Sequence, residues 1–194
     1  MSLAVARIVV LASLLVMVIW WAGCSGDRQS TAAPSPAPTP TSPTSGLSSD
    51  AAFFRLVTQT EPFGAYSLFP NAEAVTAGTL NGSTAHRPMV RVSLNPTAAG
   101  ALQNGKLPPG ARFPNGSVIF KDVRTSGGAT TVYTVMYKDV TNPLASNGWL
   151  WAEYSQTGSV VYSITNRGGA CTGCHSLEQG PQNDFVRTFE RQRP

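Results

Sequence analysis

Charge is scarce in this chain of 194 residues: only 12% are Asp, Glu, Lys or Arg, and 14 basic against 10 acidic residues leave a formal +4. The cations are mostly Arg and lie scattered, with no basic run, so a nucleic-acid-binding face is not indicated. Cysteine is equally sparse. Three thiols, an odd number, exclude a complete disulfide framework, and each needs its own explanation. No internal repeat is present, and the length suits one domain of ordinary size or a small domain with appendages.

The one long apolar run, Ile8 to Ala22, holds 15 residues, short of the roughly 20 that a helix needs to cross a bilayer core. It follows a single cation, Arg7, and ends at Gly23-Cys24, which reads as an export signal over residues 1–23 rather than a permanent span. Trp21-Ala22-Gly23-Cys24 resembles the bacterial lipobox, with Trp21 where Leu, Val or Ile is usual. Cleavage before Cys24 would leave it carrying a lipid. The alternatives are a plain signal peptide with a spare thiol, or an uncleaved anchor. All place the working chain outside the cytoplasm, periplasmic or in the cell envelope, held to a membrane where Cys24 is lipidated. Residues 24–49 are Ser, Thr, Ala and Pro, with Pro34, Pro36, Pro38, Pro40 and Pro43 nearly alternating. Such a segment cannot bury a core and is biased toward polyproline II, so its length of about 25 residues could reach some 75 Å as a tether.

Folded sequence is expected over residues 50–194. Asp50 is placed to cap a short helix through Phe53 and Leu56. Two-residue alternation then takes over from Met89 to Leu94, with Val90, Val92 and Leu94 on one strand face and Arg91 and Ser93 on the other. Ser117 to Arg124 and Thr131 to Lys138 read as a hairpin, Trp149 to Tyr154 and Ser159 to Ile164 as a second. Pro96 to Gln103 has a helical pattern, and Asn183 is placed to cap a final helix carrying Phe185, Val186 and Phe189. About five strands with short flanking helices predict an α+β domain built on a mainly antiparallel sheet.

Cys171-Thr172-Gly173-Cys174-His175 has the form C-x-x-C-H. Two thiols on one helical turn can add to the two vinyl groups of a haem, while the adjacent imidazole becomes the proximal iron ligand. A thioredoxin-like pair has no need of the histidine and expects a βαβ setting. Tetrahedral zinc needs four ligands, and only His86 and the distant Cys24 remain. The motif therefore points to one covalently bound c-type haem on Cys171 and Cys174, with His175 on the iron. Candidates for the sixth position are His86, Met89, Met136, Lys106, Lys121 and Lys138; none stands out, which favours an open site. Lys121 shares a strand face with Ile119 and Val123. It either snorkels at a sheet edge or, near a haem, offers a nucleophilic amine that can bond to the porphyrin rim.

Phe113-Pro114-Asn115-Gly116-Ser117-Val118-Ile119-Phe120-Lys121 is similar to the F-x-x-G-x-x-x-x-K stretch of the cytochrome P-460 family. Val90 to Pro96, the C-x-x-C-H and Asn183-Asp184-Phe185-Val186 fit the same pattern, so the likeness covers roughly Phe53 to Arg191. The resemblance implies an antiparallel sheet packing on a c-type haem, commonly in a homodimer, with His175 proximal. It also implies, for the catalytic members, a lysine at the place of Lys121 linked to a porphyrin meso carbon, with hydroxylamine as substrate and a redox partner as electron acceptor. Relatives of the beta cytochrome c-prime type lack that link and bind nitric oxide or carbon monoxide, so a gas-binding or electron-transfer cytochrome is the alternative. Hydroxylamine oxidation releases protons. No acid lies between Ser159 and Ala170, and Glu153 and Asp139 read as solvated strand residues.

Overall fold

Alternation along the central strands is the force that organises the molecule. The computed structural model describes residues 46–68, 76–78, 85–177 and 181–187. All of these fall within one of the chain's two units, Pro40–Pro194. The export signal, Cys24, most of the Pro-rich segment and Phe189 lie outside the described residues.

Among the described residues seven strands form one sheet: β1 (Ser67–Leu68), β2 (Thr76–Ala77), β3 (Met89–Leu94), β4 (Val118–Arg124), β5 (Thr130–Lys138), β6 (Trp149–Tyr154) and β7 (Val160–Tyr162). Their order is β1-β3-β4-β5-β6-β7, β2 also pairs with β3, and every pairing is antiparallel. The expected bounds of β3 and β6 are met to the residue. Both hairpins form, with β7 shorter than its apolar pattern suggested.

Because both faces of β4, β5 and β6 are covered, their sequences are almost continuously apolar, yet the pleat still sorts them. Val90, Val92, Leu94, Ile119, Val123, Met136, Trp149 and Trp151 project to one face, where Phe113 and Val186 join them and Cys171 and Phe185 pack alongside. Val118, Phe120, Val135, Tyr137, Leu150, Ala152 and Tyr154 project to the other, beneath Phe53 and Val57. That second face is roofed by α1 (Asp50–Arg55) and the π turn that follows it, Leu56–Thr60. Phe63 stacks on Phe120 at 4.2 Å and 5°.

Two polar residues fix the ends of this layering. Asn95 is the N-cap of α2 (Pro96–Gly100), with proline at the first helical position, where its missing N–H costs nothing. The same side chain accepts from Ala98 N and Val118 N and donates to the Gly116 carbonyl, tying the end of β3 to the start of β4. Asp50 does not cap α1; Ser49 does, accepting from Ala52 N. Asp50 instead accepts from Ser163 Oγ at 2.7 Å and Ile164 N at 3.0 Å, stitching α1 to the far end of the chain.

The expected C-terminal helix is absent from residues 181–187. A 3-10 turn, Pro181–Asn183, leads into Asp184 at φ 53° and Phe185 at φ 66°. Two consecutive left-handed residues with side chains cannot continue an α-helix, and each costs about 1–2 kcal/mol, so tertiary bonds must impose them.

Phe120 is 1% exposed within the roofed face, and its truncation leaves a cavity that rigid neighbours cannot fill. Phe120→Ala is expected to destabilise the protein by about 3–5 kcal/mol, whereas Val161→Thr on the exposed face of β7 should change stability by under about 0.5 kcal/mol. Urea denaturation of both variants checks the contrast.

Candidate functional site

The C-x-x-C-H segment reaches the sheet through a turn that only glycine permits. Gly168 has φ +64°, and a Cβ on it would sit 2.5 Å from Trp151 Cδ1. Its carbonyl accepts from Cys171 N and Thr172 N, both at 2.8 Å, and starts α3 (Thr172–His175). Cys171 and Cys174, three residues apart, fall on one turn of helix, as the motif requires. Both are free thiols.

His175 is held from two directions. Its ring meets Trp151 edge to face at 4.8 Å, and Nδ1 lies 2.7 Å from the Phe185 carbonyl. A carbonyl only accepts, so Nδ1 carries the proton and Nε2 keeps its lone pair for a metal. Burial first, then the charge of Lys121, lowers the His175 pKa to about 4, so the imidazole is neutral at pH 7. Arg187 donates from Nη1 to the Cys174 carbonyl at 2.9 Å and to its sulfur at 3.1 Å.

Lys121 lies on β4, an interior strand between β3 and β5, so it is not a snorkelling edge residue. Its side chain is half-buried. It joins one rung of the sheet, in which Val92, Lys121, Thr134, Glu153 and Tyr162 are successive partners across five strands. Residues of one rung share a face. Lys121 and Glu153, two strands apart, therefore both face the side where Cys171 packs. Burial lowers the Lys121 pKa to about 8, opposed by attraction to Cys174, Glu153 and Cys171. Burial raises that of Glu153, which Lys121 partly offsets.

Glu153 is thus half-buried on the site's face rather than a solvated strand residue. Asp139 is buried too, accepting from Thr141 and Asn142 in the turn after β5. His86 does sit in a turn, but its Nδ1 is buried without a hydrogen-bond partner, and its pKa falls to about 2 through burial and the charges of Lys121 and His175. Among the other candidates for the iron, Met136 is packed in the apolar core, Lys138 is ion-paired to Asp184 at 2.9 Å, and Lys106 is exposed. Of the groups that position the site, Trp151 and Arg187 carry no local sequence signal, and Phe185 falls in the Asn183–Val186 stretch of the resemblance without the role of its carbonyl being legible there.

This donor set suits a haem better than its competitors. Burial and the Glu153 charge push the Cys171 thiol up to about 11, the opposite of what a redox-active pair needs. Among the described residues no three His, Cys, Asp or Glu side chains form a cage for a bare metal ion. A haem asks only for two thiols on one turn and one oriented imidazole, and these are what α3 presents.

The Cytochrome P460 family model matches residues 72–188, more than half of the chain. The chain belongs to the cytochrome P460 family. It is therefore a haem protein, and its α+β fold is the one expected. The match takes in β2 to β7 and α3 and leaves α1 outside it. No curated protein matches the chain.

Both histidines are neutral when folded and have pKa values near 6.5 when unfolded. The unfolded chain takes up their protons first as pH falls. Stability fully present above pH 6.5 is therefore lost down to about pH 4 for His175 and further for His86, at up to about 1.4 kcal/mol per pH unit for each. Glu153, raised when folded, works in the opposite sense above pH 4.5. The urea midpoint of the haem-free chain should fall between pH 6.5 and 4.5, and His86→Gln should flatten that fall; an equal slope in both proteins refutes the assignment.

Proposed function

We propose that this haem protein holds its group covalently, through thioethers at Cys171 and Cys174 with His175 on the iron, and oxidises hydroxylamine. The single observation that carries the reading is the shared rung of Lys121 and Glu153 on the face where Cys171 packs. When bound, the haem supplies a Lewis-acidic iron that accepts electrons from the substrate.

Each residue then has a task. Cys171 and Cys174 would hold the porphyrin at two points, and the Phe185 carbonyl and Trp151 hold His175 in one tautomer and direction. Lys121, with a pKa near 8, presents a substantial share of neutral amine at mildly basic pH. Its Nζ is the atom that would bond to the porphyrin rim when the haem is in place. Glu153, whose proton affinity burial raises, accepts a proton that hydroxylamine loses on oxidation. The electrons leave to a redox partner.

A carrier of nitric oxide or electrons needs no acid at the site. The acid missing from Ser159 to Ala170 is supplied instead by Glu153 on β6, and this supports the enzyme over the carrier. We further propose that the chain works outside the cytoplasm, periplasmic or on the cell envelope, tethered through a lipid on Cys24. Among the described residues no helix is long and apolar enough to cross a membrane.

Purified protein matured with haem should keep its colour through acid-acetone extraction and show a Soret band shifted to the red that becomes ordinary in Lys121→Ala. Hydroxylamine turnover with an artificial acceptor should drop about a hundredfold in Glu153→Gln. A wild-type spectrum like that of a plain c-type haem removes the cross-link, and wild-type protein without turnover leaves the carrier.

A further inference from the structure

Asp184 is 1% exposed, and three separate parts of the chain converge on it. Lys138 Nζ, at the end of β5, lies 2.9 Å from Oδ1, in a pair whose side chains are 3% and 2% exposed. Phe113 N donates to Oδ2 at 2.9 Å from the loop before β4. Trp149 Nε1, at the start of β6, donates to the Asp184 carbonyl at 2.8 Å, and Lys138 stands 4.8 Å above the Trp149 ring. Arg112 adds a looser contact at 3.7 Å. These bonds hold Asp184 and Phe185 in a backbone that residues with side chains seldom adopt. That backbone aims the next carbonyl, Phe185, at His175 Nδ1.

We propose that Lys138 and Asp184 are positioning residues for the haem iron: their buried pair seats the turn whose Phe185 carbonyl orients His175 and sets its donor strength. The inference rests on the reading in which His175 binds the iron. A ligating imidazole whose Nδ1–H is held by a well-placed acceptor is a stronger donor, which favours the ferric over the ferrous state and stiffens the iron–nitrogen bond. A carbonyl released from its seat does the reverse. Lys138 and Asp184 bond to each other and to residues 113, 147 and 149, so the effect reaches the metal through the turn.

The test uses the haem-loaded protein and two readouts besides turnover: the iron–histidine stretch in the resonance Raman spectrum of the ferrous form, and the midpoint potential. Lys138→Met and Asp184→Asn are expected to lower the stretching frequency and raise the potential, and Lys138→Arg to restore both toward wild type. Trp149→Phe keeps an aromatic ring at this place and removes one donor to the turn, so it should move both in the same direction by less. It carries the test where the charge variants do not fold. Asp122→Asn disturbs another buried acid, paired with Arg124 on the opposite face of the sheet; it should lower the denaturation midpoint and leave both readouts alone. Folded variants with wild-type frequency and potential overturn the proposal, as does an equal shift in Asp122→Asn. Wild-type protein that holds haem but shows no iron–histidine band removes the haem ligation itself, and this inference with it.

Discussion

A carboxylate and an ammonium, both nearly sealed from water, meet at 2.9 Å beside Trp149, and the turn at Asp184 and Phe185 is shaped around them. Such a pair adds little net stability, because desolvating both ions offsets most of their attraction. Its value lies in how costly it is to break: one partner left alone in the interior costs about 3–5 kcal/mol. Together with the bonds from Phe113 and Trp149, that penalty outweighs the about 2–4 kcal/mol of two left-handed residues at Asp184 and Phe185. The turn therefore keeps an unfavourable backbone, and the site inherits a fixed carbonyl. The sheet contributes Lys138 and Trp149 from the ends of β5 and β6, so the same strands that hold the core also hold the turn.

The sheet serves two environments at once. One face is dry and aromatic under α1; the other is apolar at its rim but carries Lys121 and Glu153 in a single rung near its middle. A lysine on an interior strand with Ile119 and Val123 beside it loses hydration, and its lowered pKa expresses that loss. Glu153 compensates in part, and the two together keep the face close to neutral while leaving each group reactive. Such a pair on a rigid sheet is placed more precisely than loop residues would be.

What could be read from sequence was what is local. The C-x-x-C-H and the common face of Ile119, Lys121 and Val123 need only spacing, and the bounds of β3 and β6 follow from Val90-x-Val92-x-Leu94 and from Trp149-x-Trp151. What depends on register was hidden. Glu153 joins the site only because β4, β5 and β6 align Lys121 with Thr134 and Thr134 with Glu153, a relation no single segment contains. The two-residue strands β1 and β2 are too short to show a period. The C-terminal helix was expected because Asn183 is a good cap and Phe185 and Val186 are apolar. Bonds from residues 113, 138 and 149 override that preference.

The stitch from Asp50 to Ser163 and Ile164 spans more than a hundred residues. A ribosome makes Asp50 long before either partner exists, so α1 cannot dock as it emerges. Until β7 and the turn after it are made, that stitch has no far end, so the roof over Phe120, Leu150 and Tyr154 gains its last fastening only when the second hairpin is complete. Synthesis and closure thus run in opposite directions: α1, made early, is fastened late.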